Sequence, residues 1–354
     1  MTFQTTRFLQ SQTTFEELSA LLDGSNILVT GGTGSFGKAF VARVMEICRP
    51  RRLIVYSRDE LKQFEMQQDP LFQGEAAEST LRYFIGDVRD LNRLEMAMRD
   101  VDYVIHAAAL KQVPAAEYNP FECIHTNVIG AENVILASLR NDVKRVVALS
   151  TDKAANPINL YGATKLASDK SFIAANHLAG KAALRYSVVR YGNVLGSRGS
   201  VVPFFRSLIE NGAESLPITD ERMTRFWITL EEGVDFVLST LLIMHGGEIM
   251  VPKIPSMRIV DLAQAMAPDM PQTVVGIRPG EKLHEVMVPE DDARTTVELS
   301  DRYAIEPAFA DWPRRSFLEL GATAVPAGFR YASDNNTEWL ERDSLLEMLE
   351  KARA

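Results

Sequence analysis

Cysteine is scarce: Cys48 and Cys123 are the only two in 354 residues. Two thiols cannot build a disulfide framework, and these fall in no spacing that ligates a metal. No metal site is expected, and a reduced, cytoplasmic setting follows. Long hydrophobic runs are also missing. No stretch approaches the roughly twenty apolar residues of a transmembrane helix, so no membrane span is expected. Residues 1–12 are polar with a single arginine, which is not the pattern of a signal peptide. Positive charge is in deficit, since 38 Lys and Arg against 47 Asp and Glu leave a net −9. That balance argues against a nucleic-acid partner. The remainder, 46% hydrophobic and 24% charged, is ordinary for a globular enzyme. Its length points to one large or two unequal domains.

Short apolar runs alternate with helical stretches from residue 25 onward, without repeats or low-complexity tracts. Residues 1–24 read as an appended segment carrying a short amphipathic helix over 15–22. Strands are expected at 26–30, 53–56, 81–85, 103–106, 145–149 and 185–190, with helices over 38–48 and 121–140. The stretch 69–80, with Pro70 and Gly74, reads as an exposed loop. This alternation predicts an α/β fold with a doubly wound parallel sheet. The expected division is a dinucleotide-binding domain over 25–194 and a mainly substrate-binding domain over 195–354. Residues 333–340 switch from polar to apolar and read as a capped terminal helix.

The first strand runs into Gly31-Gly32-Thr33-Gly34-Ser35-Phe36-Gly37, and a helix follows. Small residues there let backbone approach a pyrophosphate, and the helix start offers N–H donors. Gly31, Thr33, Gly34, Ser35, Phe36 and Gly37 are the candidate contacts. About twenty residues past the turn stand Ser57 and Arg58, where an acidic residue would hold the ribose hydroxyls of NAD. Arg58, with Ser57 and Lys62, instead suits the extra phosphate of NADP. Ala107, Ala108 and Ala109 after the fourth strand would let a cofactor lie against backbone. Lys111 is a candidate contact to cofactor and substrate; His106 reads as a packed strand-end residue.

Ser150-Thr151-Asp152-Lys153 closes the fifth strand, and Tyr161 and Lys165 open the next helix four residues apart, on one face. A lysine ammonium beside a phenol lowers its pKa and makes it a usable base. Asp152 and Lys153 add a second proton donor and acceptor. The Tyr-x-x-x-Lys pattern resembles the short-chain dehydrogenase/reductase superfamily. The run Ser-Thr-Asp-Lys-Ala-Ala-Asn-Pro-Ile-Asn-Leu-Tyr-Gly-Ala-Thr-Lys resembles the inverting UDP-N-acetylglucosamine 4,6-dehydratases of its extended branch. Tyr161 and the glycine turn match the inverting group; retaining, often membrane-bound relatives typically carry methionine at the Tyr161 position.

The resemblance covers nearly everything after residue 25 and implies a chemistry. Tyr161, helped by Lys165, takes the hydroxyl proton at carbon 4 while hydride passes to NADP. Lys153, neutral, removes the proton at carbon 5, and Asp152, protonated, gives one to the hydroxyl leaving carbon 6. Hydride returns to carbon 6 and a proton to the opposite face of carbon 5. Asp87 and Val88 are implied at the adenine, and Thr126, Tyr191 and Val194 along the cofactor. Lys111, Asn193, Gly199, Ser200, Val201, Val202, Thr219, Arg225, Arg278 and Glu281 are implied at the UDP-sugar, the two arginines on its diphosphate. A homo-oligomer, dimer or hexamer, and a product feeding pseudaminic-acid-type glycans are also implied. Two alternatives stand beside this reading: a nucleotide-sugar 4-epimerase, and a non-catalytic NADP-sensing module.

Overall fold

Apolar β-branched runs with no room for a helix become strands buried on both faces, as in Asn26–Thr30, where all five residues are buried. The computed structural model describes residues 6–9, 12–180, 183–196 and 200–351. Ten strands form the main sheet. Seven lie parallel, in the spatial order Leu81–Ile85, Arg52–Ser57, Asn26–Thr30, Tyr103–His106, Arg145–Thr151, Arg185–Tyr191 and Ile249–Pro252. The order reverses between Asn26–Thr30 and Tyr103–His106, and such a switch point opens a crevice at the strands' carboxyl ends.

The sheet then gains three antiparallel strands, Arg302–Ile305, Thr296–Glu298 and Thr323–Ala324. The later part of the chain therefore re-enters the main sheet as well as covering the crevice. The cover rests on a three-stranded sheet of Ser256–Arg258, Thr224–Ile228 and Asn193–Val194. A second apolar cluster, including Val202, Phe205, Trp227 and Leu262, holds it together.

Helix Gln12–Leu22 lies over the main core with Leu18 and Leu22 fully buried, each contributing about 1.5–3 kcal/mol. Thr6 Oγ1 donates to Asp235 at 2.9 Å, and Phe8 packs on Phe236 at 4.8 Å. Arg7 bonds the carbonyl of Lys253 at 3.0 Å and pairs with Glu338 at 2.8 Å.

Three expectations are corrected. The stretch 69–80 is ordered as a short turn, Pro70–Phe72, and a helix, Glu75–Thr80. Asp69 caps the turn by accepting from Leu71 N, and Phe72 and Ala77 have apolar neighbours to bury against. Residues 333–340 are not helical, because Asn336 ties that segment to Ile254 O and Ser256 Oγ; the helix starts later, at Arg342–Lys351. The helix expected over 121–140 is interrupted by a widened turn at His125–Ile129.

Candidate active site

A cavity of about 740 Å³ lies along the carboxyl ends of the parallel strands, running from the glycine turn to Lys153, Tyr161 and Asn193. Gly31 has φ +68°, and a Cβ there would sit 2.9 Å from Ala108 N. A Cβ at Gly37 would lie 2.4 Å from Gly32. Both positions accept glycine alone, so strand, turn and helix Ser35–Ile47 close up and the backbone of Gly34, Ser35 and Phe36 lines the cavity. Thr30 Oγ1 accepts from Ala107 N and Ala108 N at 3.2 Å, pinning the wall formed by Ala107, Ala108 and Ala109. A narrow backbone-lined trough of this kind fits a dinucleotide.

At the far end of the second strand, Ser57 is buried against Thr33. Arg58 stands at the rim, 55% exposed and 3.7 Å from Asp87. Lys62 lines the same end while paired with Asp59 at 2.9 Å. Burial works against the Asp87 charge, but hydrogen bonds from Arg89 outweigh it and hold its carboxyl below the usual range. Val88 and Thr126 also line the cavity, and Thr126 Oγ1 has no hydrogen-bond partner among the described residues. Asn127 does not reach it. Its amide spans Leu110 N at 2.8 Å, Leu110 O at 2.9 Å and Thr164 Oγ1 at 3.0 Å, fixing the loop that carries Lys111.

Strand Arg145–Thr151 ends in a single turn, Asp152–Ala154, capped by Thr151. Thr151 Oγ1 donates to Asp152 Oδ1 at 2.9 Å, and Lys153 Nζ donates to the same oxygen at 3.1 Å. Lys153 lines the cavity; Asp152, with no exposed surface, sits behind it. Helix Leu160–Ala179 begins with an Asn159 cap on Gly162 N, which aims Tyr161 and Lys165 into the cavity. The Asn159 amide also bonds Gly280 O at 2.8 Å, joining cover to base.

The electrostatics depart from expectation in two places. Burial pushes the Tyr161 phenol up to about 12; the charge of Lys153 and a Thr151 hydrogen bond act in the opposite sense. Burial lowers Lys165, with Asp169 opposing, and Lys165 belongs to a buried group with Asp169, Ser150 and Arg190. Burial also acts to lower Lys153, but the charges of Asp152 and Glu285 outweigh it and raise its pKa, opposite to the shift that a base neutral at the moment of action calls for. Burial, then the charge of Glu285, pushes the Asp152 carboxyl up.

Tyr191, Val194, Asn193 and Ser200 line the cavity as expected. Val202 instead packs in the second apolar cluster with Val201 against it, and Thr219 and Arg278 lie outside the lining. Gly199 falls outside the described residues. Arg225 is a correction. Its side chain is 6% exposed, and its guanidinium donates to the carbonyls of Thr224 at 2.7 Å, Lys282 at 2.9 Å and Leu283 at 3.1 Å. With Glu281 and Glu285 each 3.7 Å away, its forked donors hold the 281–285 segment rather than face the cavity. Glu285, absent from the sequence reading, is the unanticipated neighbour: its Oε1 lies 3.4 Å from Lys153 Nζ. No local pattern marks it, because only the return of the chain over the crevice brings it there.

Fold and cleft together are those of the extended short-chain dehydrogenase/reductases. A family described as polysaccharide biosynthesis protein matches residues 27–307. The chain is 57% identical over 334 residues to the UDP-N-acetylglucosamine 4,6-dehydratase (inverting) of Campylobacter jejuni subsp. jejuni serotype O:23/36 (strain 81-176), covering 93% of this chain and 98% of that protein. It is 39% identical over 330 residues to the UDP-glucose 4-epimerase of Rickettsia canadensis (strain McKiel), covering 91% and 94%. Among solved structures, Pen from Bacillus thuringiensis superposes with TM-score 0.83 at 33% identity, covering 94% of this chain and 99% of that one. The chain belongs to this polysaccharide biosynthesis protein family.

Proposed function

We propose that the protein removes water from UDP-N-acetylglucosamine with inversion at carbon 5, giving UDP-2-acetamido-2,6-dideoxy-β-L-arabino-hex-4-ulose. It is an NADP-dependent hydro-lyase on this reading. The observation that carries it is the Asp152–Lys153 pair beside Tyr161, in a chain so similar to the Campylobacter dehydratase. Oxidation and reduction at carbon 4 alone need one base; this site has a second acid and base.

The glycine turn, the alanine wall and Thr126 would hold the dinucleotide, with Arg58 and Ser57 toward its ribose phosphate. When bound, the dinucleotide would supply the hydride acceptor for carbon 4 and the hydride donor for carbon 6. Tyr161 takes the proton of the carbon 4 hydroxyl, and the Lys153 charge and the Thr151 hydrogen bond favour the phenolate that this requires. Lys165, one helical turn further on, lines the same cavity. The ketone formed at carbon 4 acidifies the proton on carbon 5, which Lys153 removes. Asp152, whose carboxyl burial pushes up toward the protonated form, supplies the proton for the hydroxyl leaving carbon 6. On this reading Lys111 and Asn193, in the lining, flank the sugar, and exposed Arg278 reaches the diphosphate from outside that lining.

A product of this kind is a precursor for surface glycans of the pseudaminic-acid type, in keeping with the family description. A cytoplasmic homo-oligomer fits the same reading. Among the described residues no helix is long and apolar enough to cross a membrane.

The Rickettsia relatives support a second reading, 4-epimerisation of a UDP-hexose. Incubation with UDP-N-acetylglucosamine and NADP, followed by mass spectrometry and proton NMR, separates the two. Loss of one water with a new methyl signal is expected. Conversion at unchanged mass would establish the epimerase, and no turnover would leave a nucleotide-binding module.

A further inference from the structure

Asp87 is pinned at its backbone, where the carbonyl accepts from the Tyr56 hydroxyl at 2.8 Å and from Asp90 N at 3.0 Å. Only its side chain remains to be placed, and two guanidinium groups stand within reach. Arg89 holds it. Oδ2 accepts from Arg89 Nη2 at 2.8 Å and Nε at 3.1 Å, and Oδ1 accepts from Arg89 N at 3.0 Å. Arg58 Nη1 lies 3.7 Å from the same Oδ2, beyond hydrogen-bond reach, and among the described residues Arg58 donates no hydrogen bond. Arg89 is itself steadied from behind, its Nη1 donating to Glu122 Oε2 at 2.6 Å. Arg58, Lys62 and Asp87 line the cavity; Arg89 and Glu122 do not.

A carboxylate beside a phosphate-binding guanidinium works against it twice. It occupies the forked donors that would meet the phosphate oxygens, and its charge repels the incoming dianion. Lys62 is already paired with Asp59 at 2.9 Å, so Arg58 is the cation at this end of the trough with its donors unspent. We infer that Arg89 is a positioning residue for cofactor choice: by holding the Asp87 carboxylate, it keeps Arg58 free for the ribose phosphate of NADP. This rests on the proposed assignment of Arg58 to that phosphate.

The fork of Arg89 suits the task, because two parallel N–H groups and its own backbone N–H fix the carboxylate in one orientation. Without them the nearest cation to Asp87 is Arg58, and a side-chain rotation about the pinned backbone would close the 3.7 Å gap. NAD lacks the extra phosphate, so its binding is indifferent to which arginine holds Asp87. Any contact between Asp87 and the adenine is common to both dinucleotides and drops out of their ratio.

The test is calorimetric titration of the whole protein with NADP and with NAD. It compares the parent with Arg89→Ala, Arg89→Lys, Asp87→Asn, and Arg89→Ala combined with Asp87→Asn. Arg89→Ala should weaken NADP binding by about fivefold, while NAD binding changes by less than about twofold. Arg89→Lys, which keeps the charge and loses the fork, should fall between. In the Asp87→Asn background, Arg89→Ala should leave the ratio of the two affinities within about twofold. An unchanged ratio in Arg89→Ala would overturn the inference, and so would an equal loss for both dinucleotides, which marks a structural role. A selective loss that persists in full in the Asp87→Asn background would also overturn it, since Arg89 would then act on the phosphate itself. Arg58→Asp tells the two failures apart. If it weakens both dinucleotides equally, the underlying assignment of Arg58 fails; if it is selective while Arg89→Ala is not, only the role of Arg89 fails.

Discussion

The hydroxyls of Thr33 and Ser57 lie 2.8 Å apart, both buried, and they tie the glycine turn to the end of the second strand. That bond fixes where the next residue, Arg58, leaves the sheet. The guanidinium emerges at the rim of the trough with Asp87 3.7 Å away and more than half of its surface in solvent.

Arg58→Asp should therefore weaken NADP binding far more than NAD binding. A charge-assisted hydrogen bond contributes about 1.5–3 kcal/mol, so a selective loss of at least about tenfold is expected. Calorimetric titration with each dinucleotide measures it. Equal loss for both would remove Arg58 from the phosphate site.

Arg225 and Arg278 should separate cleanly. Arg225→Ala removes three backbone contacts and one cation of the buried Glu285. It should cost about 3–5 kcal/mol of stability, as breaking a buried charge pair does, and Arg225→Lys should restore little because the fork is lost. Exposed Arg278→Ala should unfold as the parent does while KM for the UDP-sugar rises roughly tenfold. A normal urea midpoint in Arg225→Ala with weakened UDP binding would return that residue to the diphosphate.

Tyr161 and Lys153 act at different carbons, so their variants should stall at different points. Lys153→Ala should still develop reduced-nicotinamide absorbance yet release little dehydrated sugar and incorporate little deuterium at carbon 5. Tyr161→Phe should show neither, since the ketone that acidifies carbon 5 never forms. Normal incorporation in Lys153→Ala would make another group the base.

Acid should find a weak point at His106. Burial, then the charge of Lys165, lowers its pKa from 6.5 to about 3, while Nδ1 meets Thr30 Oγ1 at 2.8 Å. A depressed folded pKa means stability that is complete above the unfolded value and is lost as pH falls from about 6.5 toward 3. Between pH 7.5 and 5 this group should account for about 2 kcal/mol of the loss. Urea unfolding of His106→Asn at the two pH values should show a fall smaller by that amount. An unchanged difference would assign the acid sensitivity elsewhere.

The parts of the site legible in the sequence are those whose members are chain neighbours. The turn from Gly31 to Gly37 declares itself because each small residue answers a local need for close backbone approach. Asp152, Lys153, Tyr161 and Lys165 declare themselves because a strand end and one helical turn bring them together. Arg225 did not, since an arginine looks the same whether it grips carbonyls or phosphate. Glu285 was silent because its partner Lys153 belongs to a distant part of the chain. The raised Tyr161 and Lys153 pKa values were hidden for a related reason, being sums over burial and charges that several segments supply. In the fold, the run 69–80 was misjudged because its proline and glycine mark boundaries of short helices as readily as loops. The antiparallel strands at the sheet's far edge are only a few residues long and show little periodicity.

The strap made by Thr6, Arg7 and Phe8 has a consequence in time. Its partners are Asp235, Phe236, Lys253 and Glu338, so Thr6, Arg7 and Phe8 have nothing to dock on until segments far along the chain have been made. Loops of such length close slowly and late. Fastening the strap is then one of the final events of folding, and it clasps helix Leu230–Ile243 to the segment around Glu338 only after both have been made. Until then Phe236 and its neighbours remain uncovered, a window in which a nascent chain offers its apolar core to chaperones or to other chains.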